Sequence, residues 1–199
     1  MPEQFLDVDR ETITGALNKI SRVGQSTAFI NEMGALLRTA LGTALSPGAT
    51  GADNVLAVYS IPALAFDQAG RGVRVRAAGS FATGTNTKQV KIIFNPSTAV
   101  VGSTVGSGGT VIADTGSYST TGTPGFLLEG LVVKYGALAS NTQWAMQTDA
   151  KVAAVNVGVA APVLATAVEN AAILVAVTGN AGTTATDILL SLFEVLGLD

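Results

Sequence analysis

From Asn54 onward the chain is written in a two-residue period, and this constrains the fold more than any other feature. Apolar and polar residues alternate in short runs at 54–62, 72–82, 87–95, 110–114, 126–137, 141–150, 171–178 and 187–196, with Gly, Asn, Thr or Pro between them. Alternation puts successive side chains on opposite faces of a strand, so each run has one face to bury. Eight such runs with turn residues between them predict a mainly β protein, an antiparallel sandwich or barrel. A parallel sheet needs crossover helices, and the gaps hold no helical pattern. The last run also suits a short helix, since Ile188, Leu189, Leu192 and Phe193 fit that spacing.

Upstream the period is different. Ile13, Ala16, Leu17, Ile20 and Val23 recur at three and four residues behind a possible cap at Asp9. Gly24-Gln25-Ser26 interrupts them, and a second stripe runs through Ile30, Met33, Leu37, Leu41 and Ala44 to Ser46-Pro47-Gly48. Residues 1–47 therefore read as an N-terminal helical arm, a kinked helix or a helical hairpin that covers its own domain, knits protomers together or docks on a partner. GATGAD at 48–53 reads as a hinge, and 54–199 as the β domain. The acidic, polar start is unlike a secretory signal. The most apolar run, from Val152, is interrupted by Asn156, Gly158 and Pro162, short of the roughly 20 residues of a spanning helix.

Charged residues make up 13% of the chain and apolar ones 48%, against about 25% charged in an ordinary soluble domain. So little charge implies surface hidden in assembly contacts. Without cysteine there is no disulfide or thiolate, and without histidine no ordinary catalytic triad. The carboxylates are scattered singly, with no metal-loop spacing. The glycine-rich GSTVGSGGT lacks the Lys and the helix of a phosphate loop, so the long segment 97–125 reads as loops around a brief strand. The expectation is a non-enzymatic protein with no cofactor and no metal. Trp144 shares a strand face with Met146, which predicts a core or interface residue over a sugar platform.

Five of the eleven basic residues, Arg71, Arg74, Arg76, Lys88 and Lys91, fall between positions 71 and 94. The two runs there read as a hairpin. Val73, Val75, Ala77 and Phe81 then face inward with Val90, Ile92 and Phe94, and Arg74, Arg76 and Lys91 form a basic ladder outside. A nucleic-acid surface wants interleaved aromatics and a positive domain, whereas these positions offer none and the net charge is −3. The ladder is expected to be solvated or to meet carboxylates across a subunit contact.

The succession NVLAVYSIPALAFDQAGRGVRVRAAGSFATGTNTKQVKIIF, with Leu56, Tyr59, Pro62, Gly70, Gly72, Val75, Gly79, Thr87, Lys88, Val90 and Phe94 as its pattern positions, resembles the head-decoration, cement and head-fibre proteins of tailed bacteriophages. The likeness extends more loosely to Leu196 and leaves the arm outside. It implies a jelly-roll β-sandwich in a homo-oligomer, often a trimer. It also implies a place on the outer surface of the virion capsid, where the major capsid protein is the partner and neither nucleic acid nor membrane is bound. The contact residues expected on this reading are Ile13, Leu17, Ile20, Ile30, Met33, Leu37 and Leu41 of the arm, with Arg74, Arg76 and Lys91. A fibre or carbohydrate-binding receptor module, with 103–123 as its variable tip, is the alternative role.

Overall fold

A computed structural model of the chain describes residues 35–45, 51–137, 139–157, 161–181 and 185–198. The strands are β1 (Ala35–Leu45), β2 (Asn54–Ile61), β3 (Gly72–Phe81), β4 (Gly84–Phe94), β5 (Thr110–Asp114), β6 (Tyr118–Thr120), β7 (Gly125–Lys134), β8 (Gln143–Val152), β9 (Val155–Asn156), β10 (Val163–Ala165), β11 (Ile173–Ala181) and β12 (Ile188–Leu198). A 3-10 turn, Ala185–Asp187, leads into β12. All eight runs read from the alternation are strands, and the last is a strand, not a helix.

Two antiparallel sheets face each other. The larger has the order β1-β12-β3-β7-β8-β10, with β9 also on β8; the smaller has the order β2-β11-β4-β5, with β6 on β4. From β1 to β4 consecutive strands alternate between the sheets, and the first strand lies beside the last. The core fills the space between, where alternate positions such as Val73, Val75 and Ala77 of β3 meet Val90, Ile92 and Phe94 of β4. Phe66 meets Phe94 edge-to-face at 5.9 Å, and Phe81 lies between Tyr118 and Phe126 at 5.8 and 5.1 Å. These aromatic contacts add about 0.5–1.5 kcal/mol each to the area they bury. A Cβ on Gly130 of β7 would stand 2.8 Å from Ile112 Cγ1, so this glycine lets the two sheets approach at β5.

Two expectations are corrected. The stripe through Leu37 and Leu41 is a strand: Ala35–Leu45 pairs antiparallel with β12. ALLRTALGTAL contains Gly42 and two threonines, which weaken a helix by about 1 kcal/mol for the glycine alone. The long apolar β12 meanwhile offers an edge of backbone groups that pairing satisfies. The rest of the helical arm, with Ile13, Leu17, Ile20, Ile30 and Met33, lies outside the described residues. Second, β3 and β4 form no hairpin. β3 pairs with β12 and β7, and β4 with β11 and β5, so the chain crosses between the sheets at Ala82-Thr83. Inward faces were read correctly, but the two strands bury them against each other across the sandwich.

Residues 51–53 are the described end of the expected hinge. Gly51 N–H donates to Ala181 O at 3.0 Å, and Asp53 O accepts from Val105 N–H at 2.9 Å. Both tie this stretch to the sandwich. The loop after β4 runs back along the free edge of β2: Val55 N–H bonds Ser103 O at 2.8 Å and Gly102 N–H bonds Val55 O at 2.9 Å. Its Gly102 and Gly108, both at φ +84°, are turn residues.

Candidate interaction face

The described basic residues are matched within the chain. Arg74 and Arg76 stand on β3 beside β7, with Arg76 Nε 3.1 Å and Arg74 Nε 3.8 Å from the Glu129 carboxylate. Arg76 also reaches Glu194 of β12 at 3.6 Å. Lys91 lies on the other sheet, bonded to Asp53 at 2.8 Å. The two arginines and Lys91 are therefore not a ladder, because their strands are in different layers. Arg71 pairs with Asp67, Lys88 with Asp187, Lys134 with Glu169 and Lys151 with Asp149. Among the described side chains every lysine and arginine has a carboxylate of the same chain within 3.9 Å.

Two lysines are buried. Lys88 points inward with Val90, and its ammonium donates to Gly84 O at 2.9 Å and to Asn86 O and Oδ1 at 3.1 Å each. Asn86 in turn donates to Asp187. Lys134 closes β7 with bonds to Glu169 Oε1 at 2.5 Å, Ser140 Oγ at 2.8 Å and Thr142 Oγ1 at 3.3 Å. Gln143, its cross-strand neighbour, donates to the same Glu169 oxygen at 2.6 Å and to Ala167 O at 3.1 Å. Its own Oε1 accepts from Ala167 N–H at 2.9 Å. Burial of an ammonium needs a counter-charge and a full set of acceptors, and both clusters supply them. Their role is to lock loops onto the sandwich: at Lys134 the 140–142 turn and the segment before β11, at Lys88 the 3-10 turn.

These glutamines also explain Trp144, which the sequence reading placed in the core or at an interface. On β8, Gln143, Ala145 and Gln147 face inward, Gln147 accepting from Asp114 N–H at 2.9 Å. Trp144 and Met146 share the opposite face, and Trp144 is 38% exposed. The shared face with Met146 was read correctly; it is the outer one, which removes the core half of that expectation and leaves the interface half. Buried amides that bond backbone groups behave as core residues, and nothing in their type announces it.

The outer face of the larger sheet is apolar where a solvated sheet would be polar. Register aligns Leu198, Gly72, Val133, Trp144 and Leu164 in one row, and Leu196, Arg74, Leu131 and Met146 in the next outward row. Beyond the charged row of Glu194, Arg76, Glu129 and Asp149 comes a third row with Leu192, Ala78 and Leu127. Trp144 packs against Tyr135 at 5.6 Å, and Tyr135 and Leu164 are 46% and 56% exposed. Leu37 and Leu41 belong to β1 at the far edge of this sheet. Structure thus brings Arg74 and Arg76 onto the apolar face and separates Lys91 from it. Sequence reasoning missed Leu131, Val133, Tyr135 and Leu164, although apolar residues at both parities of FLLEGLVVK were a visible signal of a strand covered on two sides.

Among the described residues no group of three or more carboxylates is placed to hold a metal ion, and no helix is long and apolar enough to cross a membrane. No family model and no curated protein matches the chain.

Proposed function

We propose that the chain is a non-enzymatic virion structural protein, a decoration or cement subunit that sits on a tailed-phage head and bridges capsid subunits. The observation that carries this reading is the apolar outer face of the larger sheet. It is a surface suited to a protein neighbour, in a chain whose described polar clusters serve its own folding. The fold within this proposal is a jelly roll. An order of β1-β12-β3-β7 facing β2-β11-β4-β5, with the first strand beside the last, supports it, and such sandwiches recur in viral capsid domains. Strands β8 to β10 then extend one sheet. Buried apolar surface stabilises a junction by roughly 25 cal/mol per Å², and repetition over a lattice multiplies a modest gain at each site.

The test is uptake. Heads of the phage that encodes this chain, purified without it, are mixed with the recombinant protein and imaged. The expected result is density at fixed lattice positions and heads that resist heating better than bare ones. Removing residues 1–34 is expected to reduce uptake, with β1 left in place. Heads that take up none of the full chain would sink the reading.

A fibre or receptor-binding module is the second reading, favoured by the exposure of Trp144 beside Tyr135. Paired aromatic faces stack on the apolar faces of sugars. Selective binding on a glycan array, lost in Trp144→Ala, would support this role over the capsid one.

A further inference from the structure

We propose that the side chains of Lys134 and Gln143 join in an amide bond, formed within the folded chain with Glu169 as the acid–base catalyst. The proposal is independent of the capsid reading and uses none of the outer face.

Four parts of such a reaction are in place. The nucleophile is the Lys134 amine, which stands directly opposite Gln143 on the neighbouring strand, both side chains buried. Lys134 Nζ and Gln143 Nε2 bond the same oxygen, Glu169 Oε1, at 2.5 and 2.6 Å, so they are no further apart than those two bonds laid end to end. The carbon to be attacked, Gln143 Cδ, is one bond from Nε2. Groups held together in this way react as though at very high concentration. The base is Glu169, whose second oxygen, Oε2, is buried with no hydrogen-bond partner among the described residues and is free to take up a proton. The carbonyl is polarised, because Gln143 Oε1 accepts from the Ala167 N–H at 2.9 Å, a donor aimed where negative charge gathers. The leaving nitrogen already donates to the catalytic carboxylate.

The step balances without a further reactant. One proton passes from the Lys134 ammonium to Glu169, and the neutral amine attacks Gln143 Cδ. As the Nζ–Cδ bond forms, charge builds on Oε1 against the Ala167 N–H. The Cδ–Nε2 bond then breaks, Glu169 gives its proton to Nε2, and ammonia leaves. A second proton from Nζ returns to the carboxylate. The products are a secondary amide, ammonia and a protonated Glu169. Two buried charges become none, which relieves the desolvation that a buried ion pair carries, and ammonia escapes to solvent. Until the bond forms the cluster is the buried ion pair described above, and stability measured on unreacted chain reports that pair. The product ties β7 to β8 covalently in a chain that has no cysteine to do so.

Intact mass spectrometry of the full chain tests this, followed by trypsin digestion of the unfolded protein. Wild-type chain should lose about 17 Da, the mass of ammonia, increasingly over about a week at ~37 °C. The product should resist trypsin after Lys134 and still be cut after Lys151. Glu169→Gln, without a base, and Gln143→Met, without a leaving group, should keep their full mass and the cut at Lys134. A wild-type chain that holds its full mass overturns the proposal, as does a loss of ammonia with Lys134 still cut. Loss of about 18 Da, the mass of water, would place the bond between Lys134 and Glu169 and overturn the role of Gln143. Glu169→Gln reacting as fast as wild type would overturn the role of Glu169. Should either variant fail to fold, the mass and the digest of the wild type still decide whether the bond exists.

Discussion

Glu169→Ala is expected to be among the most destabilising single changes in the sandwich. Glu169 is 1% exposed and Lys134 is fully buried, with 2.5 Å between the carboxylate oxygen and the ammonium nitrogen. Without the carboxylate, Lys134 keeps two hydroxyl acceptors, Ser140 and Thr142, and has no counter-charge. Gln143 keeps its two bonds to Ala167 and loses its third. Removing one partner of a buried pair costs roughly 3–5 kcal/mol, because the other charge stays desolvated and alone. In a domain of this size each kcal/mol moves the midpoint by about 2–4 °C, so the expected fall is on the order of 10 °C. The reasoning separates from a plain packing loss in the double variant. Lys134→Met with Glu169→Leu removes both charges, and it should recover most of the stability lost by Glu169→Ala, since an apolar pair of similar volume avoids the desolvation of both ions. Urea unfolding of the wild type, Lys134→Met, Glu169→Leu and the double closes the cycle, with Glu169→Ala measured alongside. A Glu169→Ala cost below about 1 kcal/mol, or a double variant no better than the single, would refute the account.

Other changes test the packing and the charges. Gly130→Ala should cost about 1–3 kcal/mol in urea unfolding, because its new methyl would stand 2.8 Å from Ile112 Cγ1 and 3.0 Å from the Ile112 carbonyl oxygen; a cost under about 0.5 kcal/mol would show that the sheets can move apart there. Arg74→Ser should cost under about 1 kcal/mol, since its 3.8 Å pair with Glu129 is half-exposed and solvent-screened. A larger loss in the monomer would mean that this arginine supports the fold itself. Burial pushes the Tyr59 phenol above the usual tyrosine value. Because the folded form holds this proton more tightly, its contribution is complete below the unfolded value of about 10 and is lost as pH rises through the folded one. Ultraviolet difference titration should find a tyrosine ionising late that is missing in Tyr59→Phe, and identical curves would contradict the assignment.

Alternation alone located all of the longer described strands except β1, because a strand's period is a local property of the pleated backbone. It also chose the buried side of β3 and of β4 correctly from Val73, Val75, Val90 and Ile92. Local pattern failed wherever the partner decided. Leu37 and Leu41 carry a helical spacing, yet the edge of β12 draws their segment into a strand. RGVRVR and TKQVKIIF look like two arms of a hairpin, and the short link between them serves a crossover between layers equally well.

The site followed the same division. Arg74 and Arg76 were visible as outward charges, but their partners Glu129 and Glu194 lie 53 and 118 residues further along the chain, and only strand order brings them alongside. A core place for Trp144 failed because Gln143 and Gln147, polar by type, are spent on buried groups of the chain. An outward apolar face on the larger sheet could be suspected from FLLEGLVVK but not assembled, since Leu131, Met146, Leu164 and Leu196 come from four strands. Period and composition are carried by near neighbours in the chain and so can be read from it. Which strand lies beside which, and therefore which charges cancel and which apolar side chains merge into one surface, depends on contacts between distant segments that exist only once the two sheets have closed.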